Sequence, residues 1–197
     1  MPVRAGDTID PEATRRRILE VSERIFYDRG IAAVGVAEIA RAAVASKASI
    51  YKNFGSKDGL VEATLEYRSG RVHEWLANGT AAAEAGPDRI LRVFDLLLEW
   101  FQSADFHGCA MVSAAAEERA TGGTATRLAR QHLRKYRDFL SAELNHAGLP
   151  DAPELAQQLL ILIEGATTVS AIDHDPAAAR TARRLAALIL GHAHAAP

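Results

Sequence analysis

The sequence predicts an all-α protein: a small N-terminal three-helix unit containing a helix-turn-helix, followed by a larger helical body. Three observations predict it. Apolar residues recur at three- and four-residue spacing through nearly every segment. Residues that start or stop helices punctuate the segments, among them Asp10-Pro11, Gly30, Ser46, Gly55, Asn78-Gly79, Pro87 and Gly148-Leu149-Pro150. No useful length alternates with period two, so no sheet is expected.

The elements follow in order. Residues 1–10 read as a flexible arm. Asp10-Pro11-Glu12 is a strong helix start, with an acidic N-cap, proline at the first turn and a carboxylate at the positive end of the dipole. That helix runs to about Arg29 on an inner stripe of Ile18, Leu19, Ser22, Ile25 and Phe26, and Gly30 stops it. Arg15, Arg16 and Arg17 near its start are placed close to a DNA backbone, or else form a solvated face.

Val36, Ile39, Ala40 and Ala43 make one apolar face of a short second helix. After a tight turn, Ser46 can cap a third, its hydroxyl accepting from free backbone N–H groups. This helix carries Lys47, Ala48, Ser49, Tyr51, Lys52 and Asn53 outward, with Ile50 and Phe54 inward. Small Ala48 and Ser49 let its leading end approach base edges. Ser49 and Asn53 can hydrogen-bond bases, and Lys47 can reach a base or a phosphate. Gly55 permits the positive φ that ends the helix, and Ser56 caps the next with Lys57 in its first turn, an anion clamp.

From Ser56 a fourth helix is expected to about Asn78, with Leu60, Leu65, Val72, Trp75 and Leu76 buried. Pro87 opens a fifth to about Ser103, with Ile90, Leu91, Phe94, Leu97, Leu98 and Phe101 as its apolar face. Cys109–Ala120 is alanine-rich and reads as helical. Thr124–Ala147 forms a long helix, and two closing helices cover about Pro153–Ile172 and Pro176–His194. These limits divide the chain into an arm, a unit over residues 11–57 with its motif at 35–54, and a body over 58–197.

Bulk composition narrows the class. The 197 residues and 48% hydrophobic content support a sizeable core. The net charge is −2, yet residues 1–60 hold ten Lys/Arg against eight Asp/Glu and the remainder thirteen against seventeen. A single cysteine, Cys109, cannot form an intrachain disulfide, which points to a reducing, cytoplasmic setting. The start lacks an apolar signal core, and the run Leu159–Ile163, broken by Glu164, is far short of the ~20 residues of a membrane span. No P-loop, G-x-G-x-x-G or G-x-S-x-G pattern is present, so no enzyme, cofactor or metal site is expected. His192 and His194 point about opposite ways on a helix, which argues against a metal pair.

Three stretches, Arg16–Gly30 (RRILEVSERIFYDRG), Val36–Ala43 (VAEIARAA) and Ser46–Leu60 (SKASIYKNFGSKDGL), closely resemble the TetR/AcrR family of transcriptional regulators. The resemblance implies that Tyr51 and Lys57 hold phosphates while Lys47, Ala48, Ser49 and Asn53 face the major groove. It also implies that the body is a ligand-binding and dimerisation domain. Three departures stand out, one being Ala48, where the family often has Gly or an unlike small residue, which alters base readout rather than the fold. The family's turn usually carries Gly then Val, where this chain has Val44 and Ala45, and a β-branched residue is unfavourable at positive φ. Gly35 replaces a common phosphate-binding Thr or Ser. His107–Glu117 (HGCAMVSAAAE) further resembles a segment of one branch of the family.

The last two helices are apolar over more than one face, so each needs a second cover. Leu159, Leu162, Ile163, Ala166, Val169, Leu185, Leu188 and Ile189 are the candidate dimer contacts. Candidate lining for a small-molecule pocket is Trp75, Phe94, Leu98, Phe101, Met111, Phe139, Ile163 and Thr167. The expected activity is a homodimeric repressor released from a double-stranded, pseudo-palindromic operator by a small effector. The competing reading is a helical ligand-binding or interaction module that has lost DNA binding, supported by the Val44-Ala45 turn alone.

Overall fold

A computed structural model describes residues 10–118 and 122–195; the expected arm therefore lies almost wholly outside the described residues. Among the described residues there are nine helices and no strand. They are α1 (Pro11–Arg29), α2 (Val36–Ala42), α3 (Lys47–Phe54), α4 (Lys57–Thr80), α5 (Pro87–Phe101), α6 (Ala110–Glu117), α7 (Thr124–His146), α8 (Ala152–Asp173) and α9 (Ala177–Ala195). The caps explain most of these limits. Asp10 accepts from the Glu12 amide at 2.9 Å, and the Gly30 amide closes α1 onto Phe26 O at φ 81°.

The chain divides into two compact units, Met1–Arg68 and Ser69–Pro197, rather than at residue 57. The first turns of α4 belong to the first unit because their side chains are tied to α1. Arg68 Nη1 lies 2.8 Å from Glu23 Oε1, with the guanidinium 4.4 Å from the Tyr27 ring centre. The core of this unit is Ile18, Phe26, Val34, Ile39, Ala40, Ala43, Ile50 and Leu60, all buried. It joins the inner faces of α1, α2 and α3 to the start of α4.

The second unit packs around Phe94, Leu97, Leu140, Leu144, Leu159 and Ile163. Ala179, Ala182 and Ala186 are buried along α9, and their short side chains let that helix lie close against α5 and α8. Two carboxylates close backbone ends that a sequence cannot show. Glu143 accepts from the Gly86 amide at 2.8 Å and from Arg89 Nη1 at 3.1 Å, which anchors the start of α5 on α7. Glu118 accepts from the amides of Thr126 (2.8 Å) and Ala125 (3.2 Å), capping α7 from outside it. These bonds, that to Thr126 first, hold the Glu118 carboxyl below its ordinary range.

Candidate nucleic-acid interface

The first unit presents α3 as a short rod on its surface. Ser46 Oγ accepts from the Ser49 amide at 2.9 Å and so caps its leading end. Ile50 is fully buried and fixes the rod's inner face, while Gly55 at φ 76° lets the chain leave. Eight residues at about 1.5 Å each make a rod about 12 Å long, and the roughly 10–12 Å diameter of a helix with its side chains suits the roughly 12 Å width of a B-DNA major groove. Lys47, Ala48, Tyr51 and Lys52 are exposed along it; Ser49 and Asn53 are half-buried. The Asn53 amide donates to Ser49 O at 2.8 Å, so that side chain lies along its own helix. Ser56 Oγ accepts from the Gly59 amide at 3.0 Å, capping α4 as the sequence indicates.

The turn between α2 and α3 closes despite its composition. Val44 takes φ 49° and is 78% exposed. The amide of Ala45 reaches Ala40 O at 2.8 Å, and that of Val44 reaches Arg41 O at 3.2 Å. This is the 6→1 closure that a glycine ordinarily makes. Valine therefore strains the turn locally without changing its hydrogen bonding, which removes the one observation that favoured loss of DNA binding. Gly35 precedes α2 with no side-chain cap.

The cations divide. Arg16 is exposed and, among the described residues, bonds to none. Arg15 Nη1 donates to Asn53 O at 3.1 Å, Arg17 Nε to Ala43 O at 2.8 Å, and Lys57 Nζ to Ile31 O at 3.0 Å. Reading sequence by charge placed all four toward phosphate; contacts with distant backbone carbonyls were not legible there. Arg29 also pairs with Glu38, joining α1 to α2.

In the second unit the expected dimer contacts split by face. Val169, Leu185 and Leu188 are exposed, and Leu162 and Ile189 are half-buried. Leu159 and Ile163 are corrected: at 0% and 1% exposure they fill the subunit's own core and a second copy cannot reach them. Ile161 and Ile172, not singled out in the sequence, stand exposed in their place. Their spacing from Gly165 and Val169 is helical, so the stripe was visible had the count started from Ile161. Ala166 is buried yet lines a groove of about 510 Å³ between α8 and α9, with Ile161, Leu162, Val169 and Leu185.

Of the expected pocket lining, Phe94, Phe101 and Ile163 lie in the core, with Trp75, Leu98 and Phe139 packed against it. Met111 and Thr167 are also buried, the Thr167 hydroxyl donating to Ile163 O at 2.8 Å. Near that core the structure assembles a polar cluster that the sequence did not reveal. Ser69 Oγ lies 2.9 Å and His73 Nε2 3.1 Å from His132 Nδ1, with Tyr136 edge-on to both rings. His73 Nε2 also faces His132 O at 3.2 Å, which can only accept, so His73 carries its proton there. Burial, then the Lys135 ammonium, lower the His73 pKa to about 4 against the opposing His132 carbonyl bond, so the His73 ring is neutral. On α8, burial raises Glu164 to about 7 against a hydrogen bond with Cys109.

Comparison with known proteins follows this division. The family model described as bacterial regulatory proteins, tetR family, matches residues 18–64. That described as transcriptional regulator LmrA/YxaF-like, C-terminal domain, matches residues 88–190. The chain is 35% identical over 75 residues to the HTH-type transcriptional regulator TtgR of Pseudomonas putida, covering 38% of this chain and 35% of that one. It is 31% identical over 106 residues to the HTH-type transcriptional repressor NemR of Escherichia coli, covering 53% of each. The matches thus span about a third to a half of these relatives' length. In fold it is similar to a TetR-family transcriptional regulator from Streptomyces coelicolor, with a TM-score of 0.85 and 24% identity over 92% of this chain and 96% of that one. The reduced form of E. coli NemR gives 0.80 and 24% over 88% and 95%.

Proposed function

Because the chain belongs to the TetR family of transcriptional regulators, we propose that it acts as a homodimeric repressor, reading a pseudo-palindromic operator through α3 and released from it by a small molecule. The observation that carries this reading is the capped, outward α3, with Lys47, Ala48, Tyr51 and Lys52 on its free face. Lys47 and Ala48 at the leading end meet base edges. Tyr51, Lys57 and Arg16 take phosphates, with Lys57 leaving Ile31 O to do so. Ser49 and Asn53 read bases once the Asn53 amide swings off its own helix.

One α3 reads too few base pairs to select a site. Two copies related by a two-fold axis present theirs to half-sites about 34–36 Å apart or more. The exposed stripe Ile161, Val169, Ile172, Leu185 and Leu188 supplies the contact, since so much adjacent apolar surface needs a cover. The effector occupies the second unit among Trp75, Leu98 and Phe139, where half-buried apolar side chains meet the core. α4 belongs to both units and is the continuous element through which occupancy alters DNA affinity. A coupling of about 1–3 kcal/mol gives a 5–150-fold change in operator affinity. NemR, one of the relatives, carries the name repressor.

The test is sedimentation velocity together with fluorescence anisotropy on the duplex upstream of the chain's own coding sequence. A dimer whose affinity falls steeply with salt is expected. A strictly monomeric protein, or one with no salt-dependent complex, overturns the reading.

A further inference from the structure

Three basic residues in the first unit donate to backbone carbonyls, Arg15 and Arg17 while remaining exposed and Lys57 while half-buried. Two of them, Arg15 and Arg17, leave the same turn of α1 and reach two different helices. Arg15 donates to Asn53 O in the last turn of α3, and its guanidinium lies 4.6 Å from the Phe54 ring centre. Arg17 donates to Ala43 O, the carbonyl at the C-cap of α2 and immediately before strained Val44. Both acceptors belong to the set of carbonyls that a helix end leaves without an intrahelical partner. Both sit at the negative end of a helix dipole, where a cation is favoured.

We infer that Arg15 and Arg17 are positioning residues for the recognition helix, holding its angle on α1 rather than neutralising phosphates. The geometry explains why two residues are needed. α2 and α3 are short, and Ile50 is the only side chain of α3 that is fully buried. A rod held by one fully buried side chain, with Phe54 only half-buried against the same core at its end, can still tilt. Arg15 holds the far end of that rod, over the Phe54 ring, while Arg17 holds the turn from which the rod starts. Between them they fix both ends, and Arg16, which points to solvent, is left as the phosphate contact of the triplet.

This inference rests on the reading of α3 as the helix that enters DNA, and the experiment separates the two. The full chain and its Arg15→Met, Arg16→Met and Arg17→Met variants are compared on a duplex enriched by the unaltered chain from a random pool, and on a scrambled duplex of equal length. A lost phosphate contact lowers the salt slope of binding by about 0.9. A tilted α3 instead loses base discrimination, about tenfold or more for one good contact. Arg15→Met and Arg17→Met should therefore cut the preference for the enriched duplex about tenfold with the slope unchanged. Arg16→Met should lower the slope by about 0.9 with the preference intact. Arg15→Lys, which can reach Asn53 O without covering Phe54, should fall between Arg15→Met and the parent.

Hydrogen exchange without DNA supplies a second readout. Residues 47–54 should exchange faster in Arg15→Met and Arg17→Met than in Arg16→Met. A reduced slope with full preference in the first two variants, or equal exchange in all three, overturns the inference. Failure of the unaltered chain to enrich any duplex overturns instead the DNA-binding reading on which it stands.

Discussion

Replacing Val44 by glycine should stabilise the helix-turn-helix although it removes a side chain. Val44 holds φ 49° in the closing turn of α2. There the Cβ of an L-residue crowds its own carbonyl oxygen, and the second branch of valine tightens the clash. Holding such a residue costs about 1–3 kcal/mol. Two effects oppose the gain. Valine is 78% exposed, so about a fifth of its burial is lost, roughly 0.3–0.6 kcal/mol. Glycine also frees the unfolded chain, by about 0.4–1 kcal/mol. At the middle of these ranges the net is ~1 kcal/mol in favour of glycine. Amide hydrogen exchange on the full chain, followed in peptides across residues 36–54, should slow by about 2–5-fold. Val44→Ala keeps the Cβ and drops the branches, so it should lie between the two. Exchange that is unchanged or faster in Val44→Gly would refute the strain argument.

Four further outcomes follow from other parts of the structure. Arg68→Ala leaves Glu23, 7% exposed, without its guanidinium; breaking a buried pair costs about 3–5 kcal/mol, and partial solvent access here reduces this to about 2–3 kcal/mol, read from urea midpoints. A loss under about 0.5 kcal/mol would show that water already screens the pair. His73 titrates near 4 folded against 6.5 unfolded, so its contribution is present above pH 6.5 and is lost as pH falls toward 4. His73→Asn should flatten that limb of a midpoint-versus-pH curve, and an unchanged limb would count against the cluster. Glu164 works the other way: raised from 4.5 to about 7, its contribution is present below pH 4.5 and lost as pH rises through 7. Glu164→Gln should therefore gain on the parent at pH 8 but not at pH 4 in thermal melts. Leu188→Glu, at a position 58% exposed, should leave the fold intact by circular dichroism and yield monomers in sedimentation; a persisting dimer would move the interface off this stripe.

The helix pattern was legible because its signals are local. Asp10, Ser46 and Ser56 cap where their side chains reach the next turn, and Gly30 and Gly55 stop helices where positive φ is needed. The outward face of α3 was legible for the same reason, since Ile50 at the fully buried position dictates which residues face away. Val44 could be marked as strained through the resemblance, since the family's turn usually carries Gly at that place. What stayed hidden depends on distance along the chain. Arg15 meets Asn53 across 38 positions and Ser69 meets His132 across 63. The α8 face misled because that helix is apolar nearly all round, so composition could not tell the side that fills the core, with Leu159 and Ile163, from the side bearing Ile161 and Ile172.

Sequence by itself determined the helices, their ends and the exposed rod at residues 47–54, because capping, periodicity and backbone conformation are decided within a few residues. Only the tertiary structure decided which charges are spent inside the protein and which remain for a partner. A guanidinium's role follows from the carbonyl or solvent it meets, and that is set by the packing of helices far apart in the chain.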